Sequence, residues 1–195
     1  MVARSQSGRI VQQQTTRDGG TSTSTYGYDG AGRLVAASIP GHQLTYQYAA
    51  TGGCGANTAA GASGNRTGLV DVYTAPGMTQ VTTTSTYCYD WADRLTSSTV
   101  TGPVSGANSV TDGLAAGDIV YDIQGNTTRL ADMTLSYDAA GRHAGTTYAD
   151  GTTVSVVRDA AGRVVARTVD PAGSDPAVTT RYGHAGAADV AWGQW

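Results

Sequence analysis

The stretch "TYGYDGAGRLVAAS", from Thr25 to Ser38, does not stand alone in this chain. It returns as "TYCYDWADRLTSS" from Thr86, "DIVYDIQGNTTRL" from Asp118, "TLSYDAAGRHAGTTY" from Thr134 and "SVVRDAAGRVVARTVD" from Ser155. A site that does chemistry occurs once, whereas a unit of structure comes back, so the recurrence limits the fold before any other feature does. Aligned on the aspartate, the copies give Asp29, Asp90, Asp122, Asp138 and Asp159. Gly32, Asp93, Gly125, Gly141 and Gly162 stand third after them, followed by Arg33, Arg94, Asn126, Arg142 and Arg163. Tyr28, Tyr89, Tyr121 and Tyr137 precede the aspartate, with Arg158 as the exception.

Alternation of large and small residues before the aspartate is the mark of a half-buried strand. Asp-x-x-Gly then suits a type I turn, in which the aspartate caps a backbone N–H two residues on. Glycine supplies the positive φ that closes a short hairpin with a bulge. Gly141 and Gly162 are therefore expected at positive φ. Asp93, in the same place, is expected to be less comfortable there, although aspartate tolerates the region better than most residues. The arginine opens the returning strand and can pair with the aspartate, an exposed pair being worth only about 0–1 kcal/mol. Pro40-Gly41, Pro76-Gly77 and Asp150-Gly151 mark the opposite strand ends. The pattern predicts strands over about 142–148 and 152–158, and an all-β fold of antiparallel hairpin repeats whose long sheet twists and curls. One module over 1–195 is expected, with no helix longer than two turns. Irregular stretches at 49–65 and 101–118 are expected to be surface loops rather than domain linkers.

Composition removes several functions. All 12 cationic side chains are arginine and all 15 anionic ones are aspartate. Without lysine or glutamate there is no lysine Schiff base, glutamate general acid or lysine isopeptide crosslink. A net charge of −3 and no basic run argue against nucleic acid. No apolar stretch reaches the roughly 18–20 residues that span a bilayer, and "MVARSQSGRI" lacks the apolar region of a signal peptide. "SQSGRIVQQQT" reads as the tail of a repeat with Ser5 in the aspartate place, and "TTRYGHAGAADVAWGQW" as the start of another. The expectation is a piece of a larger repeat array.

No metal, cofactor or catalytic residue is expected. The turns offer one carboxylate each, with no Asp-x-Asp-x-Asp-Gly loop. His42, His143 and His184 are scattered, and no nucleophile elbow or His-Glu-x-x-His helix occurs. The tyrosines read as cross-strand packing, since Ile119, Leu135 and Val156 take equivalent places. Cys54 and Cys88 are the only cysteines. A disulfide between them would pin the 49–65 stretch to the back of the sheet and imply an oxidising compartment; the alternative is a pair of free thiols in a cytosolic protein.

Tyr-x-Tyr-Asp-x-x-Gly-Arg-Leu, recurring over nearly the whole chain, resembles the YD repeat of RHS proteins and teneurins. "CGANTAAGASGNRT" and "YCYDWADRL" look like RHS-type repeats of actinobacteria. The resemblance implies a spiral of hairpins forming part of a β-shell that encloses a C-terminal toxin or other cargo, or that serves in adhesion. The expected role is a non-enzymatic shell segment of a large exported protein, secreted or at the cell surface. Its partners would be the rest of the array and the cargo, with edge-to-edge self-association, and neither nucleic acid nor membrane insertion. The alternative is an adhesive module that binds glycans or a partner protein through its aromatic face, with a hydrolase as a third class.

Overall fold

The computed structural model describes residues 1–74, 77, 79–102 and 113–184, and the backbone of Ala191–Gln194. Among the described residues there are strands and turns and no helix. The sequence reads as one module, whereas the contacts divide the chain into two compact units, Met1–Gly117 and Asp118–Trp195. The boundary falls at the end of the 101–118 stretch, which the sequence suggests is a mere surface loop.

The first unit is a nine-stranded sheet. Its strands are β1 (Val2–Arg4), β2 (Ile10–Arg17), β3 (Gly20–Tyr28), β4 (Leu34–Ile39), β5 (His42–Gln47), β6 (Gly68–Tyr73), β7 (Val81–Tyr89), β8 (Leu95–Thr101) and β9 (Gly113–Leu114). The second is an eight-stranded sheet. It runs through β10 (Ile119–Tyr121), β11 (Thr127–Leu130), β12 (Met133–Tyr137), β13 (His143–Tyr148), β14 (Thr153–Arg158), β15 (Val164–Asp170), β16 (Val178–His184) and β17 (Ala191–Gln194). In both sheets spatial order equals chain order, and each consecutive pair within a sheet is antiparallel.

Period-2 patterning produces these strands. Met133, Leu135 and Tyr137 of β12 are half-buried, with Thr134 and Ser136 exposed between them. His42, Leu44 and Tyr46 of β5 alternate in the same way with Gln43, Thr45 and Gln47. Every substantial strand contact runs between neighbours in the chain. Among the described residues the buried apolar side chains are correspondingly few and mostly small, including Ala37, Ala131, Val154 and Ala166, and no large side chain is fully enclosed.

The two ends of the strands differ. Pro40-Gly41 links β4 to β5 with Gly41 at φ 82°, and Asp150-Gly151 lies in the link from β13 to β14, where the Gly151 N–H donates to the Tyr148 carbonyl at 3.0 Å. Gly77 lies between β6 and β7, while Pro76 is outside the described residues. At the other end, register slips by one residue at every Asp-x-x-Gly turn: between Gly27 and Tyr28, Cys88 and Tyr89, Val120 and Tyr121, Ser136 and Tyr137, and Val157 and Arg158. A bulge in the same place in each copy increases the local twist.

The 49–65 stretch is not a simple surface loop. Asn57 is 7% exposed and Ala60 1%. Tyr48 precedes the loop and Arg66 follows it, so the loop fills the place of a repeat turn between β5 and β6. Gly55 forms a parallel bridge with Tyr89, the Asn57 N–H donates to the Tyr89 carbonyl at 2.9 Å, and Cys54 is disulfide-bonded to Cys88 with Cα atoms 4.7 Å apart. Gly61 lies against the backbone of Tyr48 and Ala49, where a Cβ would collide. In the second stretch, Gly113–Leu114 pairs with Ser98 and Thr99 and buries Leu114; residues 103–112 lie outside the described residues.

The bond closes a loop of 34 residues, for which chain entropy gives about 3–4 kcal/mol. Thiol titration of the denatured, unreduced protein should find no reactive thiol, and reduction should lower the denaturation midpoint. Two reactive thiols in the unreduced chain would contradict this account.

Candidate functional site

The aspartate of each turn is fixed by the backbone around it. In the copy at Asp138, its N–H donates to the Arg142 carbonyl at 2.9 Å and its carbonyl accepts from the Gly141 N–H at 2.9 Å. Its Oδ1 accepts from the N–H groups of Ala140 and Arg142 at 2.9 and 3.0 Å. Its Oδ2 accepts from Arg142 Nε at 2.8 Å. Asp90 with Arg94 and Asp159 with Arg163 repeat the set, and Asp29 with Arg33 shares its backbone and ion-pair contacts. At Asp122 the amide of Asn126 replaces the guanidinium, donating to Oδ2 at 2.9 Å. This is a type I turn closed by a residue in the left-handed region: Gly32, Gly125, Gly141 and Gly162 lie at φ 80°, 88°, 72° and 83°, and Asp93 at 59°. Asp93 holds this conformation with its carboxylate accepting from Asn57 Nδ2 at 2.8 Å, so the inserted loop braces the one copy without glycine.

The carboxylates titrate accordingly. For Asp29, Asp90 and Asp138 the backbone N–H of the arginine, then its guanidinium, holds the carboxyl below the ordinary value of 3.8. For Asp122 and Asp159 the side chains of Asn126 and Arg163 are the leading cause of the same shift.

Two further contacts join one turn to the next. The guanidinium of Arg9 lies where a Cβ on Gly32 would be, and Arg142 Nη1 would be 2.9 Å from a Cβ on Gly162. Arg33 instead donates to the carbonyl of Gly61 at 2.8 Å and stacks over the Tyr48 ring at 4.5 Å. Glycine thus also makes room for the neighbouring arginine. The second contact is made by the residue before the aspartate. Tyr28 donates to the Ile10 carbonyl at 2.9 Å, Tyr48 to Leu34 at 3.2 Å, Tyr89 to Arg66 at 2.7 Å and Tyr137 to Thr127 at 2.8 Å. Arg158, the exception in the motif, reaches the His143 carbonyl at 3.2 Å and the Gly162 carbonyl at 3.0 Å. His184 Nε2 stands 2.9 Å from the Val164 carbonyl; because a carbonyl only accepts, this nitrogen carries the proton, and Nδ1 is buried without a partner.

Several members of this ladder escape the sequence motif. Ser5, Gly8 and Arg9 form the same turn with a serine cap, and Arg4 donates to Gly8 as Arg158 does to Gly162. Tyr48 and His184 occupy tyrosine places, but the residue that follows each in the sequence is alanine rather than aspartate. A register slip between Gly183 and His184 marks the same bulge. Of the other histidines, His42 Nδ1 lies 2.9 Å from Asp71 Oδ2, and His143 Nε2 lies 2.9 Å from the Thr146 hydroxyl. No group of His, Cys and Asp that could hold a metal occurs among the described residues.

No protein-family model and no curated protein sequence matches the chain. Solved structures do. A Photorhabdus luminescens Tc holotoxin pore with mutated TccC3 matches with a TM-score of 0.61 at 14% identity, over 94% of this chain and 10% of that one. A TcdB2-TccC3-Cdc42 structure matches at 0.60 and 15%, over 94% of this chain and 11% of that one. TcdB2-TccC3 matches at 0.59 and 14%, with the same coverage. The chain has an RHS-like fold. It spans about a tenth of the length of the chains it matches, and at such identities the likeness is one of fold.

Two outcomes are expected from the turn geometry. Gly141→Ala and Gly162→Ala both place a side chain at positive φ, costing about 1 kcal/mol or more. A Cβ at Gly141 meets Asn126 at an ordinary 3.9 Å, whereas at Gly162 it displaces Arg142. Denaturant unfolding should therefore rank Gly162→Ala as the more damaging; equal losses would remove the arginine contact from the account.

A lowered native carboxylate pKa contributes stability that is complete above the unfolded value and is lost as pH falls through the native one. With five aspartates shifted below 3.8, the denaturation midpoint should be level just above that value and drop below it. Asp138→Asn should make the drop shallower, and an unchanged pH profile in this variant would count against the turn as its source.

Proposed function

We propose that this chain is a non-enzymatic wall segment of a larger exported RHS repeat protein, of actinobacterial type, whose array encloses a C-terminal toxin or other cargo until delivery. The carrying observation is where the recurring functional groups go. The repeat carboxylate is engaged by its own turn, the guanidinium by that carboxylate, with Arg142 lying in the room left by the next glycine, and the observed tyrosine hydroxyls by the preceding copy. Such a unit is a fastener, and its repetition extends a wall. The likeness over 94% of this chain to about a tenth of much longer toxin-complex chains supports the reading of a segment. The Cys54–Cys88 bond suits an oxidising, extracellular setting.

The natural partner is the rest of the array. β1 is exposed throughout and among the described residues pairs only with β2, and such an edge templates another strand. The competing adhesive reading has less support, because Tyr28, Tyr89 and Tyr137 direct their hydroxyls to backbone carbonyls rather than to a ligand.

The test is made on the parent polypeptide, comprising this segment and the region C-terminal to the repeats. Under native conditions that C-terminal region should resist protease, and it should become sensitive in a variant carrying Asp138→Ala and Gly162→Ala. A C-terminal region digested equally fast in the native and denatured parent would reject enclosure.

A further inference from the structure

The second unit carries an open groove of about 670 Å³ on one face of its sheet. Its lining departs from the repeat in a consistent direction. Arg158 stands in a tyrosine place and His184 in another. His143 stands where other copies have Leu34, Leu95 and Val164, and one has Thr127. Three positions that are apolar or aromatic in most copies thus carry a guanidinium or an imidazole, and all three meet in this groove. Arg167 adds a fourth such group. It is exposed, and no ion pair or hydrogen bond holds its guanidinium among the described residues. Arg167 lies opposite Val156 on β14 and opposite Thr180 on β16, and residues directly opposite share a face.

The ligand can be read from what the lining offers. Arg158 commits Nη1 and Nη2 to the Gly162 and His143 carbonyls, which hold the guanidinium rigidly while further N–H groups remain. Arg163 is already paired with Asp159 at 2.7 Å. A fixed and a free guanidinium in one groove suit a planar carboxylate, which arginine binds with two parallel hydrogen bonds. Val156, Val164 and the Tyr182 ring complete the lining with apolar surface. A bare inorganic anion would leave that surface unused. A sugar acid would need acceptors for its hydroxyls, and no aspartate, asparagine or glutamine lines the groove. Aliphatic side chains flanking a carboxylate meet both demands.

We infer that this groove binds an acidic polypeptide segment, with a carboxylate between Arg158 and Arg167 and an adjoining aliphatic side chain against Val156, Val164 and Tyr182. The site goes beyond wall building, since the Arg167 guanidinium fastens nothing among the described residues and Arg158 has N–H groups left over from its two carbonyl contacts.

The test uses the whole chain and a short fluorescent peptide of alternating aspartate and leucine, read by anisotropy. The peptide should bind, and a lysine–leucine peptide of the same length should not. Arg167→Gln, at an exposed position, should weaken binding about tenfold or more, as expected for a charge-assisted pair. Arg158→Tyr installs the residue that makes this contact in the copies of Tyr28, Tyr89 and Tyr137, so the sheet should keep its contact to the His143 carbonyl while peptide binding falls by a similar factor. Arg181→Gln is the control. Arg181 lies opposite Ala166, one residue from Arg167 and so on the other face, and its loss should leave binding unchanged. The inference is overturned if the acidic peptide does not bind the unaltered chain, or if Arg181→Gln weakens binding as much as Arg167→Gln. It is also overturned if inorganic phosphate or glucuronate displaces the peptide at concentrations equal to those of the unlabelled peptide.

Discussion

A single carboxylate per repeat turn organises one end of the strands in each sheet. Asp138 Oδ1 takes two backbone N–H groups of its own turn, and Oδ2 takes the guanidinium that opens the next strand. Taken alone, each of these bonds is modest, because the groups are close to water. Their effect lies in geometry. The aspartate fixes the turn, the turn brings the following glycine to positive φ, and the arginine is then aimed at the glycine of the next copy. Arg142 over Gly162 completes that sequence of constraints, and Arg9 reaches Gly32 from a turn capped by Ser5 instead of an aspartate.

Such a device is needed because these sheets lack a thick core. Mostly small residues such as Ala37 and Ala166 are enclosed, so burial of large apolar side chains cannot set the register. Register in a sheet is weakly specified where neither face is strongly apolar. Here side chains set it at one end of the strands. Tyr28, Tyr48, Tyr89 and Tyr137 each reach back to a carbonyl of the preceding copy. A one-residue slip would turn the tyrosine to the opposite face and break the contact. The bulge beside Tyr28, Tyr89 and Tyr137 belongs to the same arrangement, since the register shift falls between the tyrosine and its predecessor.

Local chemistry is legible in the sequence and contacts between copies are not. Asp-x-x-Gly states its own turn, because the capping oxygen and the positive-φ residue lie within the motif. Even Ser5-Gly8-Arg9 can be read, since serine caps as aspartate does. Tyr48 and His184 escape the motif because alanine, not aspartate, follows each of them in the sequence, although both reach the expected carbonyl. The 49–65 stretch reads as exposed because glycine and alanine carry no hydrophobic period. It is partly buried for the same reason, since Gly55 and Gly61 let its backbone lie directly on the strands. Cys54 is the one residue in it that points to a distant partner.

The copies that break the motif mark where the array does something besides extend itself. Asp93 breaks it and is met by Asn57 from the inserted loop. Asn126 replaces arginine yet still holds its aspartate, so this change loses a charge without opening the turn. Arg158 keeps the tyrosine's bond to the preceding copy while adding a cation to the face of the sheet. A substitution that preserves the fastening contact and changes only the exposed chemistry leaves the wall intact. A repeat architecture can therefore vary its surface at tyrosine places without dismantling itself, provided the new side chain is long enough to reach the same carbonyl. Arginine meets that condition at Arg158, which reaches the His143 carbonyl as well as the Gly162 carbonyl of its own turn, whereas Arg4 bonds only to its own turn at Gly8. Histidine meets it at His184, whose Nδ1 is left buried without a partner. The length of the side chain thus decides which residues can bring new chemistry to this face without weakening the sheet.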